Sequence, residues 1–404
     1  MTLSIRFIVV RSIILSLLVG SQLYLYVKGD RALRRSRLSP RRKRQLRAAL
    51  AGFFLSIVTL YLLVLFGAAR LQHPSPLVLY GLLYPAAIWS FGTLFSFLIL
   101  LFADLIGWCV LLFRPRSRRE TPSPEEASDP SRRRFVQIGL SAVAAAPVLI
   151  SGYGASWESA GQTIEEVRLV LSGARTFDPP LRVVQVSDIH SGLFMTPSRM
   201  RRCAEAVQRL QPDLFVLTGD YITNSISYLA PCVEAMAQVR ARYGSFAVLG
   251  NHEHWYGEPE EFVAAFGAEG ITVLQNDHRV IETDRGRIAV AGIDDLRVGR
   301  PDLERALAGL DPSLPTILLS HRPEIFPRAA ARGIGLTLAG HYHGGQVKVE
   351  LLGFTLSVAR LLSPYTEGLY HLGGSRLYVN RGLGTTGTPV RINAPPEITL
   401  LHLV

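Results

Sequence analysis

Three long apolar stretches near the start of the chain constrain its fold more than any other feature. They cover residues 7–27, 50–69 and 77–113, and Arg11 and Asp104 are the only ionised residues within them. A helix needs about 20 apolar residues to cross the hydrocarbon core of a bilayer, which is about 30 Å thick. The mean hydropathy of the chain, +0.23, is also high for a soluble protein. The first 113 residues are therefore predicted to form a transmembrane helical region with about three spans.

The positive charge of the chain is concentrated between the first two apolar stretches. Residues 28–47 contain ten Lys or Arg and one acid, whereas residues 155–404 contain 23 basic and 26 acidic residues. A basic loop between two apolar spans follows the positive-inside bias, so it is predicted to face the cytoplasm and anionic lipid headgroups. The C-terminal part lacks the cationic track that a nucleic-acid backbone needs, and no nucleic-acid partner is expected.

The number of membrane crossings depends on the third apolar stretch. As one straight helix, it would be about 55 Å long, which is too long for one untilted crossing and short for two. One return crossing over residues 86–113, after an interfacial segment and a break near Pro85, puts residues 114–134 in the cytoplasm. This charged linker contains seven arginines. The positive-inside bias favours a cytoplasmic position for them, which one crossing provides, whereas two crossings would place them outside.

A further apolar segment, residues 135–154, follows the linker. It is introduced by Ser131-Arg132-Arg133-Arg134-Phe135-Val136, which resembles a twin-arginine export signal placed far from the N-terminus. The alternative is another membrane span with a basic cap, and the sequence leaves both open. Either one sends the rest of the chain across the membrane. We therefore expect a multi-pass plasma-membrane protein with residues 171–404 on the extracytoplasmic side.

From residue 181 onward, short apolar runs alternate with helical patterns. The runs are residues 181–186, 214–217, 246–249, 288–291, 316–319 and 336–339, and the helical patterns are residues 198–210, 229–240 and 260–266. This alternation predicts βαβ units and a largely buried sheet. In such sheets, ligands bind beyond the carboxyl ends of the strands.

Residues that can bind a metal follow five of these predicted strands. They are Asp188, His190, Asp220, Asn251, His321, His341 and His343. Neutral imidazoles and carboxylates suit divalent Mn, Fe or Zn, and a carboxylate can bridge two ions about 3.5 to 4 Å apart. Because a single zinc site takes only three or four protein ligands, this larger set predicts two ions.

In order and spacing, these residues resemble the calcineurin-like metallophosphoesterase superfamily. The matching blocks are Asp188-x-His190, Gly219-Asp220, Gly250-Asn251-His252-Glu253, His321 and Gly340-His341-x-His343. The likeness covers residues 181–404, and the tail resembles the membrane-associated bacterial branch at Tyr365, Gly368, Gly382, Gly384, Pro389, Arg391 and Glu397. The resemblance implies an α/β sandwich of two mixed β-sheets flanked by helices, here preceded by the all-α transmembrane region.

The resemblance also implies a role for each site residue. One ion would be held by Asp188, His190, Asp220 and His343, and the other by Asp220, Asn251, His321 and His341. A hydroxide bridging the two ions would attack a phosphomonoester or phosphodiester in line. His252, which is not a ligand in the family pattern, would stabilise the transition state or protonate the leaving oxygen.

Three further residues are candidates for substrate contacts. Arg322, beside His321, could bind a phosphate oxygen or form a surface ion pair. Tyr342 stands where many members of the family have Thr, and it could line the substrate mouth or pack. His254 could contact substrate or lie in an exposed loop.

Two functional classes stay open on the sequence. The first is a membrane-anchored phosphoesterase with two metal ions, acting on a lipid headgroup or cell-envelope phosphate, because the anchor holds the site near the bilayer. The alternative is a non-catalytic metal-binding membrane sensor or binding module. The complete ligand set and the presence of His252 favour the enzyme.

Overall fold

An N-terminal helical unit, Met1–Tyr153, precedes an α/β unit, Gly154–Val404. A computed structural model describes residues 5–66, 74–113, 130–158, 161–171, 177–351 and 353–404 of the chain. Most of the predicted linker, residues 114–129, lies outside the described residues.

The helical unit contains the apolar stretches. Its elements are α1 (Ile5–Arg35), α2 (Pro40–Phe66), α3 (Pro76–Val78), a π-helical segment (Leu79–Leu83), α4 (Tyr84–Leu112) and α5 (Pro130–Tyr153). Within the described residues, three helical stretches are long and apolar enough to cross a membrane: Ser12–Arg35, Pro40–Leu63 and Pro76–Leu112. Helix α5 covers residues 135–153 of the predicted segment 135–154, and its crossing of the membrane stays a prediction.

The third stretch is helical throughout, without the interruption expected near Pro85. A π-helical turn precedes the proline, and the N–H of Tyr84 donates to the carbonyl of Leu79. Such a turn changes the helical register locally and lets the chain continue past the proline.

Polar side chains within the apolar helices are paired with one another. Asp104 accepts hydrogen bonds from Lys28 Nζ at 2.6 Å and from the Tyr24 hydroxyl at 2.7 Å. Gln22 Nε2 donates to Thr93 Oγ1 at 2.9 Å. Because an unpaired polar group is costly in a bilayer, these pairs make the helices compatible with that environment.

The α/β unit is built on two six-stranded sheets. The first has the order β1-β14-β2-β3-β4-β5 and the second the order β12-β13-β9-β8-β7-β6, with β10 and β11 as a separate pair. The strands are β1 (Thr163–Leu169), β2 (Leu181–Val186), β3 (Leu214–Leu217), β4 (Ser245–Ala247), β5 (Ile271–Val273), β6 (Asp277–Thr283), β7 (Gly286–Gly292), β8 (Thr316–Leu319), β9 (Leu336–Ala339), β10 (Val349–Leu351), β11 (Phe354–Leu356), β12 (Gly368–Leu372), β13 (Ser375–Val379) and β14 (Glu397–Leu403).

Both sheets are mixed, which confirms the predicted fold class. In the first sheet, β2 to β5 are parallel and β14 is antiparallel to β2. In the second, β7, β8, β9 and β13 are parallel, and the edge strands β6 and β12 are antiparallel to their neighbours.

The hydrophobic core explains why the central strands are apolar on both faces. One face of each sheet packs against the other sheet, as Val183 and Val216 of the first sheet do with Ile317 of the second. The opposite face of the first sheet packs against helices, with Phe215 in the same cluster as Val207. The helices of this unit are α6 (Pro197–Arg209), α7 (Leu229–Met236), α8 (Asn251–Tyr256), α9 (Pro259–Ala268), α10 (Leu303–Leu307), α11 (Phe326–Ala331) and α12 (Val358–Leu362).

Candidate metal centre

Side chains from both sheets meet just beyond the ends of five strands. Asp188 and His190 follow β2, Asp220 follows β3, and Asn251 follows β4 in the first sheet; His321 follows β8, and His341 and His343 follow β9 in the second. All seven residues are buried except His341, which is partly exposed. The strand-end pattern seen in the sequence therefore corresponds to one cluster in space.

Asp188, His190 and His343 form a first group of potential ligands. The Nε2 atoms of His190 and His343 lie 3.0 Å apart, and Asp188 Oδ1 is 3.4 Å from His343 Nε2. Two nitrogen ligands that each lie about 2.1 Å from one ion, at a right angle, are about 3.0 Å apart. The two imidazole nitrogens are therefore close enough to bind one ion.

Asp220, His321 and His341 form a second group. His321 Nε2 is 3.0 Å from His341 Nδ1 and 3.3 Å from Asp220 Oδ2. The same Asp220 oxygen is 3.7 Å from His190 Nε2 in the first group. Asp220 Oδ2 therefore lies close to a histidine of each group.

The donor set fits divalent cations. Asp188 Oδ1 is buried without a hydrogen-bond partner among the described residues, and a buried carboxylate oxygen in that state is costly. Burial lowers the pKa of His190 to about 3, so its imidazole is in the neutral form that ligates metals. Burial lowers the pKa of His321 as well, but the Asp220 carboxylate outweighs it and raises that pKa to about 10. The same negative charge of Asp220 that favours a proton on His321 would also favour a metal cation at this position.

Five of the seven candidate ligands have backbone conformations that non-glycine residues rarely adopt. Their φ angles are +48° at Asp188, +48° at His190, +57° at Asp220, +76° at His341 and +51° at His343. Each such residue costs about 1–2 kcal/mol, and clusters of them occur at functional sites. These strained backbone conformations direct the five side chains into the site.

Two glycines allow the strand-end loops to approach each other. A Cβ on Gly340 would lie 2.0 Å from Ser187 Oγ and 2.3 Å from Asp188 Oδ2, and one on Gly250 would lie 2.3 Å from Asp220 Oδ1. No side chain fits at those distances. Each glycine is thus required by a close contact with a candidate ligand or its neighbour.

Glu253 holds the turns that carry Asp220 and Asn251. Its carboxylate is fully buried and accepts three backbone hydrogen bonds, all at 2.8 Å, from the N–H groups of Asp220, Tyr221 and Gly250. One side chain thereby fixes the loops after β3 and β4 to each other. The sequence pattern contained Glu253 but gave it no role.

His252, the predicted catalytic residue, faces the space between the two groups. Its Nδ1 is 2.6 Å from the carbonyl oxygen of Thr223, which can only accept, so Nδ1 carries a proton. Its Nε2 lies 3.8 Å from Asp220 Oδ2, and its ring stands edge-on to His190 with centroids 4.6 Å apart. Nε2 is therefore the atom available for proton transfer at the site.

The three predicted substrate-contact residues have different surroundings. Arg322 is buried, with Nε 2.8 Å from Asp295 Oδ2 and Nη2 donating to Asn251 Oδ1 at 2.9 Å, so its guanidinium lies at the edge of the second group. The Tyr342 hydroxyl donates to Glu324, and the ring packs edge-on against His341. His254 Nε2 lies 2.7 Å from Asp294 Oδ1.

A loop in the tail brings a further polar residue to the first group. Thr386 Oγ1 lies 3.1 Å from His343 Nε2 and 3.4 Å from His190 Nε2. Gln346 fixes this loop: its Nε2 donates to the carbonyls of Thr386, Thr388 and Val390, and its Oε1 accepts from the Thr386 N–H at 2.9 Å. Thr386 carries no functional signal in the sequence, because a threonine in a glycine-rich run is typical of an ordinary loop.

The buried Arg391 joins the same tail to a candidate ligand. It is 0% exposed, it donates to backbone carbonyls of Gly384 and Ala394, and its Nη2 lies 3.3 Å from His343 Nδ1. The family resemblance of the tail thus includes residues that pack directly against the site.

Comparison with known proteins gives the same assignment. The family model of the calcineurin-like phosphoesterases matches residues 181–345. YkuE, an uncharacterized metallophosphoesterase of Bacillus subtilis, is 32% identical over 285 residues, which are 68% of this chain and 97% of the relative. A bovine transmembrane protein with metallophosphoesterase domain is 35% identical over 240 residues, 55% of this chain and 53% of the relative. The phosphodiesterase YaeI of Escherichia coli is 29% identical over 280 residues, 68% of this chain and 99% of the relative.

Fold, site and relatives together define a metal-dependent phosphoesterase, a hydrolase of phosphate esters. Within that class, the chain belongs to the calcineurin-like phosphoesterase family, which confirms the resemblance seen in the sequence. Its three apolar helices and its transmembrane relatives make it a membrane protein.

Proposed function

We propose that the protein is a membrane-anchored phosphoesterase that binds two divalent ions, Mn, Fe or Zn, one at each side-chain group, with Asp220 as a ligand of both. The observation that carries this proposal is the position of Asp220 Oδ2, which is 3.3 Å from His321 Nε2 and 3.7 Å from His190 Nε2. Asp188, His190, Asp220 and His343 would hold one ion, and Asp220, Asn251, His321 and His341 the other. Two such ions supply Lewis acidity and an activated water at neutral pH.

The other residues of the site would bind and orient the substrate. Arg322 would contact a phosphoryl oxygen beside the second group, and its ion pair with Asp295 would hold the guanidinium in orientation. The Thr386 hydroxyl, which lies beside His343, would donate to a second oxygen. In its imidazolium form, His252 would give the proton on Nε2 to the leaving oxygen and keep the proton on Nδ1, while the Thr223 carbonyl holds the ring in orientation.

The proposed substrate is a phosphodiester or phosphomonoester of a membrane lipid or cell-envelope molecule. Residues 155–404 carry 23 basic and 26 acidic side chains, and this balance does not favour a long polyanion such as nucleic acid. The E. coli relative is named as a phosphodiesterase, which favours the diester.

Hydrolysis of bis-p-nitrophenyl phosphate and p-nitrophenyl phosphate by the full chain in detergent, with added Mn²⁺, tests the proposal. Asp220→Asn should lower nitrophenol release by at least about 100-fold and lower the bound metal measured by elemental analysis, because both groups lose their shared carboxylate. Asp311→Asn, at an exposed turn, is the matched control and should act like the wild type. Metal binding without hydrolysis in the wild type would favour the non-catalytic sensor instead.

We propose further that the catalytic unit lies outside the cytoplasm, on the plasma membrane. The basic loop at residues 28–47 and the arginines of residues 114–134 support this topology through the positive-inside bias. Reporter fusions after Phe113 and after Gly154 test it: the first should report the cytoplasm and the second the opposite side. A cytoplasmic signal from the second fusion contradicts the proposal.

A further inference from the structure

A short hairpin and helix directly after the last candidate ligands have an unusual surface. Strands β10 and β11 pair in antiparallel register, with Val349 opposite Leu356, and they belong to neither six-stranded sheet. Residues opposite each other, and residues two apart, share a face of a hairpin. Val349, Phe354 and Leu356 therefore lie on one face, and Glu350 lies on the other. We call residues 349–362, which include α12, the apolar hairpin–helix.

Most of the described apolar side chains of this segment are exposed. Five of them are the most exposed large apolar side chains described in residues 154–404: Phe354 (73%), Leu356 (58%), Val358 (72%), Leu361 (85%) and Leu362 (67%). In α12, the exposed apolar residues Val358, Leu361 and Leu362 occupy positions i, i+3 and i+4, the stripe that a surface helix normally buries, and the small Ala359 is buried instead. A contiguous exposed apolar patch of this kind marks a site of interaction.

The base of the segment is fixed next to the metal centre. A Cβ on Gly345 would lie 2.9 Å from Ser357 Cβ, so the residue that caps α12 touches the turn that begins with His343. Lys348 Nζ, at the start of the hairpin, forms a largely buried ion pair with Glu367 at 2.6 Å. The exposed apolar surface is therefore held in a defined position beside the site.

We propose that the apolar hairpin–helix inserts into the surface of the bilayer that holds the apolar helices of the same chain. Residues 351–359 contain no ionisable side chain, so the tip can enter the acyl boundary without burying a charge. The chain itself supplies the bilayer, because it is a membrane protein with three apolar helices. An amphipathic element that exposes Phe and Leu to a nearby bilayer binds in the interface plane.

This docking has a consequence for the metal centre. Because Ser357 lies against Gly345, insertion of the segment would hold the His341–His343 side of the site at the level of the lipid headgroups. The docking itself does not depend on the proposed catalytic activity, so the two can fail separately.

Fluorescence quenching in proteoliposomes tests the docking. The full chain with Cys109→Ser and Leu361→Cys is labelled with the environment-sensitive dye NBD; Cys203 and Cys232 are buried and stay in place. The protein is reconstituted in phosphatidylcholine and phosphatidylglycerol with or without a nitroxide on the upper acyl chain. We expect blue-shifted emission and at least a two-fold loss of intensity with the nitroxide lipid.

Val280→Cys, in the edge strand β6 of the second sheet and 37% exposed, is the matched control and should not be quenched. Phe354→Cys, in the hairpin, provides a second position if Leu361→Cys fails to fold. Unshifted, unquenched emission at both positions would overturn the proposal. A blue shift without quenching by the nitroxide lipid would also overturn it, because it would indicate a protein partner and not lipid. Nitrophenol release by the labelled protein, measured in parallel, reports separately on catalysis.

Discussion

Replacement of Glu253 by Gln tests whether one buried carboxylate holds the loops of the metal centre together. The substitution keeps the shape of the side chain but replaces one oxygen by an NH₂ group. If the amide oxygen takes the place of Oε2, it still accepts from the N–H groups of Asp220 and Gly250. The NH₂ group then faces the Tyr221 N–H, which donates to Oε1 in the wild type and has no acceptor in the variant.

The expected cost follows from these contacts. Two buried donors, the Tyr221 N–H and the new NH₂ group, then have no acceptor. Each unsatisfied buried group costs about 1–3 kcal/mol. Taking about 3 kcal/mol in total, and about 2–4 °C for each kcal/mol in a domain of this size, Glu253→Gln should lower Tm by about 6–12 °C. The loops that carry Asp220 and Asn251 should also separate more easily, so we expect weaker metal binding.

Thermal unfolding of the full chain in detergent, followed by intrinsic fluorescence, measures the effect, and metal titration of the same samples measures the binding. Glu205→Gln, at an exposed position in α6, is the matched control and should stay within about 1 °C of the wild type. If Glu253→Gln also melts within about 1 °C of the wild type, the three backbone hydrogen bonds do not stabilise the site as we argue.

Two further predictions concern the edges of the site. Thr386→Val should lower kcat for bis-p-nitrophenyl phosphate by about 5- to 30-fold, because one hydrogen bond to the transition state is lost. The metal content should stay unchanged. An unchanged kcat would exclude Thr386 from catalysis. The hydrogen bond from His254 to Asp294 raises the pKa of His254, and the negative charges of Asp294, Asp295 and Glu253 raise it further. The protonated imidazole therefore stabilises the folded state. This stabilisation is complete below about pH 6 and is lost as pH rises through the raised pKa. The difference in Tm between His254→Gln and the wild type should therefore be largest at acidic pH and shrink in alkaline buffer; a constant difference would contradict this linkage.

Much of the fold can be predicted from the sequence where local signals are strong. The runs 181–186, 214–217, 316–319 and 336–339 coincide with β2, β3, β8 and β9, because fully buried parallel strands read as continuous apolar segments. The edge strands were missed. β6 (DHRVIET) mixes charged and apolar residues because one face contacts solvent, and its strand character depends on pairing with β7.

The site residues that directly follow strands could be predicted from the sequence, whereas those on a distant loop could not. Residues placed directly after strands, such as Asp220 and His321, could be inferred to converge because the carboxyl ends of neighbouring parallel strands share an edge. Thr386 and Arg391 come from a loop that follows β13, about 40 residues after His343 in the chain, and nothing local brings them back. The side-chain amide of Gln346 holds this loop in position by hydrogen bonds to its backbone, in place of the hydrogen bonds between strands that position residues of a sheet. Such tertiary hydrogen bonds leave no periodic pattern in a sequence.

The position of β14 has a consequence for biosynthesis. This strand lies between β1, to which it is parallel, and β2, to which it is antiparallel. Until residues 397–403 have left the ribosome, β1 has no partner strand in the first sheet and β2 is paired only with β3. The first sheet therefore cannot be completed before the chain has been translated to that point. Contacts over more than 200 residues also make closure slow. Nascent α/β chains would therefore display unpaired β1 and β2 edges, and a chaperone that shields strand edges would act in that interval.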